Sequence, residues 1–271
     1  MDSGTPTRAS SYIAPLSSRE RTLLAEWERA GKARLSRAEL VAEWGASIAS
    51  DITKGLVRKG VLKRLAEGIY WVIPMHAQSR PTAISAPIAV AAILEGEPYY
   101  LGGLWAFTHH QLTQQLYTSA IDAFVARRRR HRRLANAEIR FHVIPEEFLL
   151  VGTEPARLEG ATVVVSSPER TLLDALDYPG SVGGVRAGLQ LVVAALNRVD
   201  FRALIRLAAQ NSRVSTCQRV GLLLERVNVA PAVLAPLRRR VRQSRSVVSL
   251  LPDNLRHGRV HPDWRVVEND E

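Results

Sequence analysis

The chain's 271 residues suit one large domain or two ordinary ones, and a hydrophobic share of 46% is that of an ordinary globular protein. Its 37 Lys and Arg against 26 Asp and Glu leave a formal charge of +11, which argues for a polyanionic partner, most simply nucleic acid, rather than a small-molecule substrate. The one cysteine, Cys217, excludes disulfide frameworks and cysteine–zinc sites within a single chain, and no apolar run approaches the length of a membrane span.

The polar start, Met1–Ser11, lacks the apolar core of a signal peptide, so a cytoplasmic location with no membrane partner is expected. Ser17-Ser18-Arg19-Glu20 is a capping box, and the helix after it carries Leu23, Leu24 and Trp27 before Gly31 ends it. A second capping box, Ser36-Arg37-Ala38-Glu39, opens a short helix with Leu40, Val41 and Trp44, closed by Gly45. Ser47 is placed to cap a third helix, whose Ile48, Ile52 and Leu56 fall one turn apart, and Gly60 closes it. Leu62–Leu65 and Ile69–Ile73 then alternate about Ala66-Glu67-Gly68, which predicts a hairpin.

Helix, tight turn, helix and hairpin make the layout of a winged helix-turn-helix, in which the second helix of the pair enters the major groove. With Ile48, Ile52 and Leu56 inward, Ser47, Ser50 and Lys54 point outward and Thr53 and Arg58 lie on the flanks. Short polar and basic side chains suit base edges and phosphates. The expected groove set is Ser47, Ser50, Thr53 and Lys54, and the expected phosphate set begins with Arg58, Lys63 and Arg64. The same pattern also fits a winged module used only for protein contacts, but the net charge favours DNA.

Pro74 to Pro87 holds three prolines and reads as a linker, so the expected parts are a winged domain at 15–74, a linker at 75–87 and an α+β domain at 88–271. In that second part, Ile88–Leu94 reads as a helix, Tyr99–Leu101 as a strand broken by Gly102-Gly103, and Leu104–Leu112 as a helix. Ile121–Val125 is a strand, and Glu138–Ile144 alternates with Ile139, Phe141 and Val143 on one face. Between them runs Arg127–Arg133; as a hairpin loop it would form a positive lobe, adding Arg128, Arg129 and Arg130 to the phosphate set, or else a solvated basic loop. Ala161–Val165 reads as a central strand, and Ser167-Pro168-Glu169 caps the next helix, with Leu172, Leu173 and Leu176 inward. Helices are expected at about 183–197, 200–210, 215–227 and 231–241, and late strands at 246–251 and 264–267. Strands early and helices late give an α+β class.

Few motifs suggest chemistry. His109 and His110 are adjacent and point about 100° apart, so they do not chelate, and one is expected in a core or interface hydrogen bond. Arg170 and Asp174 stand at i and i+4 and are expected to pair and fix their helix against the sheet. Cys217 reads as a buried small hydrophobe. Arg238, Arg239, Arg240, Arg242 and Arg245 end a helix and suit its dipole. No phosphate-binding, dinucleotide or nucleophile-elbow motif is found, so neither an enzyme nor a cofactor is expected.

Three segments in order carry a resemblance: Leu65-Ala66-Glu67-Gly68-Ile69-Tyr70, Tyr100-Leu101-Gly102-Gly103-Leu104-Trp105-Ala106, and Val164-Val165-Ser166-Ser167-Pro168-Glu169-Arg170-Thr171-Leu172-Leu173-Asp174. From about residue 17 to 267 the chain resembles the AbiEi-type antitoxins of abortive-infection toxin–antitoxin systems. The resemblance implies an autorepressor that binds inverted repeats in double-stranded operator DNA. It further implies a cognate nucleotidyltransferase-like toxin, countered by the C-terminal domain. Two alternatives stand beside it: a ligand-sensing regulator without a toxin, and a DNA-targeted enzyme.

Overall fold

The computed structural model describes residues 15–73, 84–117, 119–133, 137–158, 161–252, 254 and 257–270. The chain divides into two compact units, residues 1–85 and 86–271, and its class is mixed α+β.

The first unit runs α1 (Ser18–Arg29), β1 (Arg34–Ser36), α2 (Arg37–Trp44), α3 (Ala46–Arg58), β2 (Leu62–Ala66) and β3 (Ile69–Val72). Both capping boxes form. Ser17 Oγ accepts from the Glu20 N–H at 3.2 Å while Glu20 accepts from the Ser17 N–H at 2.7 Å, and Ser36 and Glu39 repeat the exchange at 3.1 and 2.7 Å. Each cap satisfies orphan N–H groups and contributes about 1 kcal/mol. The core gathers Leu23, Leu24 and Trp27 of α1, Leu40 of α2, Leu56 of α3 and Leu62 and Val72 of the hairpin. Strand β1 pairs antiparallel with β3, which pairs antiparallel with β2, giving the order β1-β3-β2. Gly45 joins α2 to α3 at φ +80°, a backbone that L side chains rarely adopt, so the helix pair needs glycine at this bend.

The structure corrects the reading of α3. Its N-cap is Gly45, not Ser47, which lies inside the first turn. Its buried residues are Ala49, Thr53 and Leu56, while Ile48 is 46% exposed. The inner face is therefore turned by about 65° from the one drawn through the isoleucines, two-thirds of a residue at 100° per residue. Small Ala49 and Thr53 pack inside, and the Thr53 hydroxyl donates to the Ala49 carbonyl, so no polar atom is stranded.

The second unit opens with α4 (Ala86–Ile93), whose second residue is Pro87. Proline is tolerated in a first turn, so the last two residues of the expected linker are helix. Pro74–Ala83 lies outside the described residues. There follow β4 (Tyr99–Gly102), α5 (Gly103–His109), β5 (Ala120–Val125), β6 (Arg132–Arg133), β7 (Glu138–Val143), α6 (Glu146–Leu149), β8 (Thr153–Leu158), β9 (Ala161–Ser166) and α7 (Pro168–Asp177). The strands form one six-stranded mixed sheet, ordered β6-β7-β5-β4-β9-β8. Strand β5 runs parallel to β7 and β4 parallel to β9, with the other pairings antiparallel.

This topology overturns the hairpin expected around the arginine run. Strands β5 and β7 are parallel, and parallel neighbours are joined by a crossover rather than a hairpin loop. Arg132 and Arg133 pair with Ile139 and Glu138 as the sheet's edge strand β6. Ile139 and Phe141 are buried as expected, but Val143, at the end of β7, is exposed. Strand β8, at the other edge, was not foreseen, because Glu154, Pro155 and Arg157 give it no apolar period.

Helices α8 (Val185–Ala195), α9 (Phe201–Asn211), α10 (Val214–Arg226) and α11 (Ala235–Arg242) pack with α7 around a second core that includes Leu172, Leu173, Val192, Leu204, Cys217, Leu223, Leu237 and Trp264. Asp200 caps α9 by accepting from the Arg202 and Ala203 N–H groups at 2.8 and 3.3 Å. Strands β10 (Val248–Ser249), β11 (Arg259–His261) and β12 (Val266–Glu268) form a small sheet in the order β10-β12-β11. Among the described residues no helix is long and apolar enough to cross a membrane.

Candidate nucleic-acid interface

Turning α3 onto Ala49, Thr53 and Leu56 exposes a different stripe from the one expected. Ser47, Asp51, Lys54 and Arg58 recur at i, i+4, i+7 and i+11 and are all exposed. Ile48 borders that stripe near the helix N-terminus, and half-buried Ser50 borders it on the other side. Thr53 leaves the candidate set, because its side chain is buried and its hydroxyl is spent on α3's own backbone. Asp51 and Ile48 enter it. The helical wheel already set Asp51 one turn from Ser47; the excess weight given to isoleucine hid it.

Lys59, next to the stripe, is not a free cation. Its ammonium lies 2.6 Å from Glu20 Oε2. Burial raises the Glu20 pKa, but hydrogen bonds from Lys59 and from Ser17 outweigh burial and hold the carboxyl below its usual value. The pair ties the end of α3 to the start of α1.

On the small sheet, Lys63 and Arg34 both face Trp71 across the register, one from each side. Directly paired residues share a face, so the row reads cation, indole, cation, and all three are half-buried. Arg34 also approaches Glu39 at 3.9 Å. Arg64 is exposed at a register shift between Arg64 and Ala66, and its Nε donates to the Ala66 carbonyl at 3.2 Å. Arg34 and Trp71 were missed because three-residue β1 leaves no periodic trace.

In the second unit, Arg127, Arg128 and Arg130 are exposed on the crossover, while Arg129 is paired with Glu97. The Phe141 N–H donates to His131 Nδ1 at 3.0 Å, which pins the run to β7. The later cluster is divided too. Arg238 lies 3.0 Å from Glu225 and 3.3 Å from Asp263, with its guanidinium over the Trp264 ring at 5.4 Å. Arg239, Arg242 and Arg245 are exposed.

The strongest polar feature of this unit is internal. Arg170 Nε lies 2.7 Å from Asp174 Oδ1, one turn along α7. Its Nη2 donates to the Tyr100 hydroxyl at 2.9 Å, and that hydroxyl donates to Asp174 Oδ2 at 2.8 Å. Its Nη1 donates to the carbonyls of Phe148 and Val151 at 3.0 and 2.6 Å. Burial pushes the Asp174 carboxyl up to about 6 against the pull of Arg170 and the Tyr100 hydroxyl, so near neutral pH it is ionised and paired. Beside this network, Asp122 is fully buried on β5 and takes Arg140 at 2.7 Å and His142 at 2.6 Å. Gly103, at φ +61°, comes so near that a Cβ there would meet the Asp122 carboxylate at 2.5 Å. Of the two histidines, His110 makes an internal hydrogen bond, its Nε2 lying 2.6 Å from the Ser166 carbonyl oxygen. These groups hold β4, β5, β7 and β9 to the elements over them.

No family model matches the chain, and no curated protein matches it. Among solved structures it is similar to the crystal structure of the RV2827C protein from Mycobacterium tuberculosis, at 17% identity, covering 94% of this chain and 92% of that one with a TM-score of 0.65. At that identity the likeness is one of fold.

Proposed function

We propose that this chain is a DNA-binding antitoxin and autorepressor: residues 15–73 act as a winged helix-turn-helix on operator DNA, and residues 86–271 counter a nucleotidyltransferase-like toxin. The observation that carries the DNA half is α3. The helix has closed its inner face on Ala49, Thr53 and Leu56 and left Ser47, Asp51, Lys54 and Arg58 to solvent, above a three-stranded sheet ordered β1-β3-β2. Thirteen residues of α3 make a rod about 20 Å long, and a major groove about 12 Å wide admits it.

The side chains fit base edges. Lys54 donates to guanine O6 or N7, Asp51 accepts from the cytosine amino group, and Ser47 serves either role. Ile48 offers a methyl surface to a thymine methyl group. Arg58 and Lys63 reach phosphates, and Trp71 between Arg34 and Lys63 lies along the sugar–phosphate backbone. Arg127, Arg128 and Arg130 add affinity without sequence information. The antitoxin half is supported by the three resembling segments. Two of them, containing Tyr100 and Arg170–Asp174, meet in one buried network, which gives a physical reason for their residues.

Fluorescence anisotropy with DNA from the protein's own promoter, against scrambled DNA of equal length, tests the reading. At a fixed salt near physiological strength, a preference of about a thousandfold or more is expected. Equal, steeply salt-dependent binding to both DNAs would contradict it, since charge alone would then be acting.

A further inference from the structure

An open groove of about 370 Å³ lies between α9 and α11 in the second unit. Ile205, Ala232, Val233 and Pro236 give it an apolar lining, and Arg202 and Arg206 are its charged groups. Both arginines are exposed, and among the described residues neither guanidinium has a carboxylate partner. The nearest acid in sequence, Asp200, is committed to the backbone N–H groups of Arg202 and Ala203. Other arginines of this unit are neutralised: Arg170 by Asp174, Arg226 by Glu268 and Asp270, and Arg238 by Glu225 and Asp263.

We infer that this groove docks an acidic amphipathic helix of a partner protein. Arg202 and Arg206 stand one turn apart, a rise of about 6 Å along α9. Carboxylates four residues apart on a docked helix repeat that spacing, and apolar side chains between them meet Val233 and Pro236. A nucleic acid backbone would use the arginines but leave the apolar lining wet. A small ligand would be poorly covered, because pockets for such ligands enclose most of their surface, whereas a helix laid in an open groove covers it. The inference stands apart from sequence reading, which rests on α3 of the other unit.

The test uses the full-length protein and a fluorescent helical peptide with glutamates four residues apart and leucines between them. Its control is a scrambled peptide of the same composition. Saturable binding is expected for the patterned peptide, with the scrambled one at least about tenfold weaker. Arg202→Glu with Arg206→Glu should weaken binding by about tenfold or more. Arg19→Glu with Arg21→Glu, an equal change of charge on α1, should leave it unchanged, and circular dichroism checks that each variant is folded. Should the double variant misfold, Ala232→Glu at the exposed wall is expected to give the same loss. Equal binding of both peptides, or unchanged binding by the groove variants, would overturn the inference. Promoter binding measured on the groove variants should be retained, which separates this outcome from failure of the DNA reading.

Discussion

Replacing Arg170 with methionine removes the hub of the buried network while keeping an unbranched chain of similar bulk. The Asp174 carboxylate, the Tyr100 hydroxyl and the carbonyls of Phe148 and Val151 each lose a donor. Arg170 is 6% exposed and Asp174 is 2% exposed, so water does not replace those donors. Breaking one side of a buried ion pair costs about 3–5 kcal/mol, and that is the expected loss at pH 8. The loss should shrink at lower pH. The folded-state pKa of Asp174 lies above its unfolded value of 3.8, so the group contributes stability that is present below about 4 and lost as pH rises through about 6. Without Arg170 that pKa rises further, so at pH 5 the carboxyl is neutral and still bonded to Tyr100. Urea titrations followed by circular dichroism at pH 8 and pH 5 measure both losses. The double variant Arg170→Met with Asp174→Leu should regain much of the stability at pH 8, because no unpaired charge then remains. A loss under about 1 kcal/mol at pH 8, or an equal loss at both pH values, would refute the reasoning.

Three further outcomes follow from the same contacts. Asp51→Asn exchanges an acceptor for a donor–acceptor amide on the exposed stripe, and should shift base preference at one position of the operator by about 1–3 kcal/mol, read by competition among single-base operator variants. Lys63→Ala should weaken every DNA alike and lower the slope of log K against log salt by about one unit, measured in a salt series. Burial pushes the Cys217 thiol up to about 11, so iodoacetamide at pH 8 should label it only as urea unfolds the second unit; rapid labelling of the native protein would place that thiol elsewhere.

What could be read in the sequence was what is local. Ser17–Glu20 and Ser36–Glu39 satisfy each other within one turn, and Ser167 and Asp200 cap their own helices, so spacing alone locates four helix starts. The Arg170–Asp174 pair is visible for the same reason. Its third member, Tyr100, is 74 residues from Asp174, and only the fold brings the two together. Short β1 and polar edge strand β8 leave no period to detect. The parallel pairing of β5 with β7 is equally silent, since alternation marks a strand but not its partner. At the candidate interface, the helix and its residue types were legible. Its rotation was not, because hydrophobicity ranks Ile48 above Ala49 and Thr53 while close packing favours the smaller pair.

The central claim is that the exposed stripe of α3 reads sequence. The measurement that tests it most directly is promoter binding by the chain carrying Ser47→Ala, Asp51→Ala, Lys54→Ala and Arg58→Ala together, beside the unaltered protein, each against promoter and scrambled DNA. The variant is expected to stay folded and to lose its preference for the promoter, keeping only weak, salt-dependent binding to both DNAs. A variant that still prefers the promoter as strongly as the unaltered protein would contradict it, and would move sequence reading to another surface.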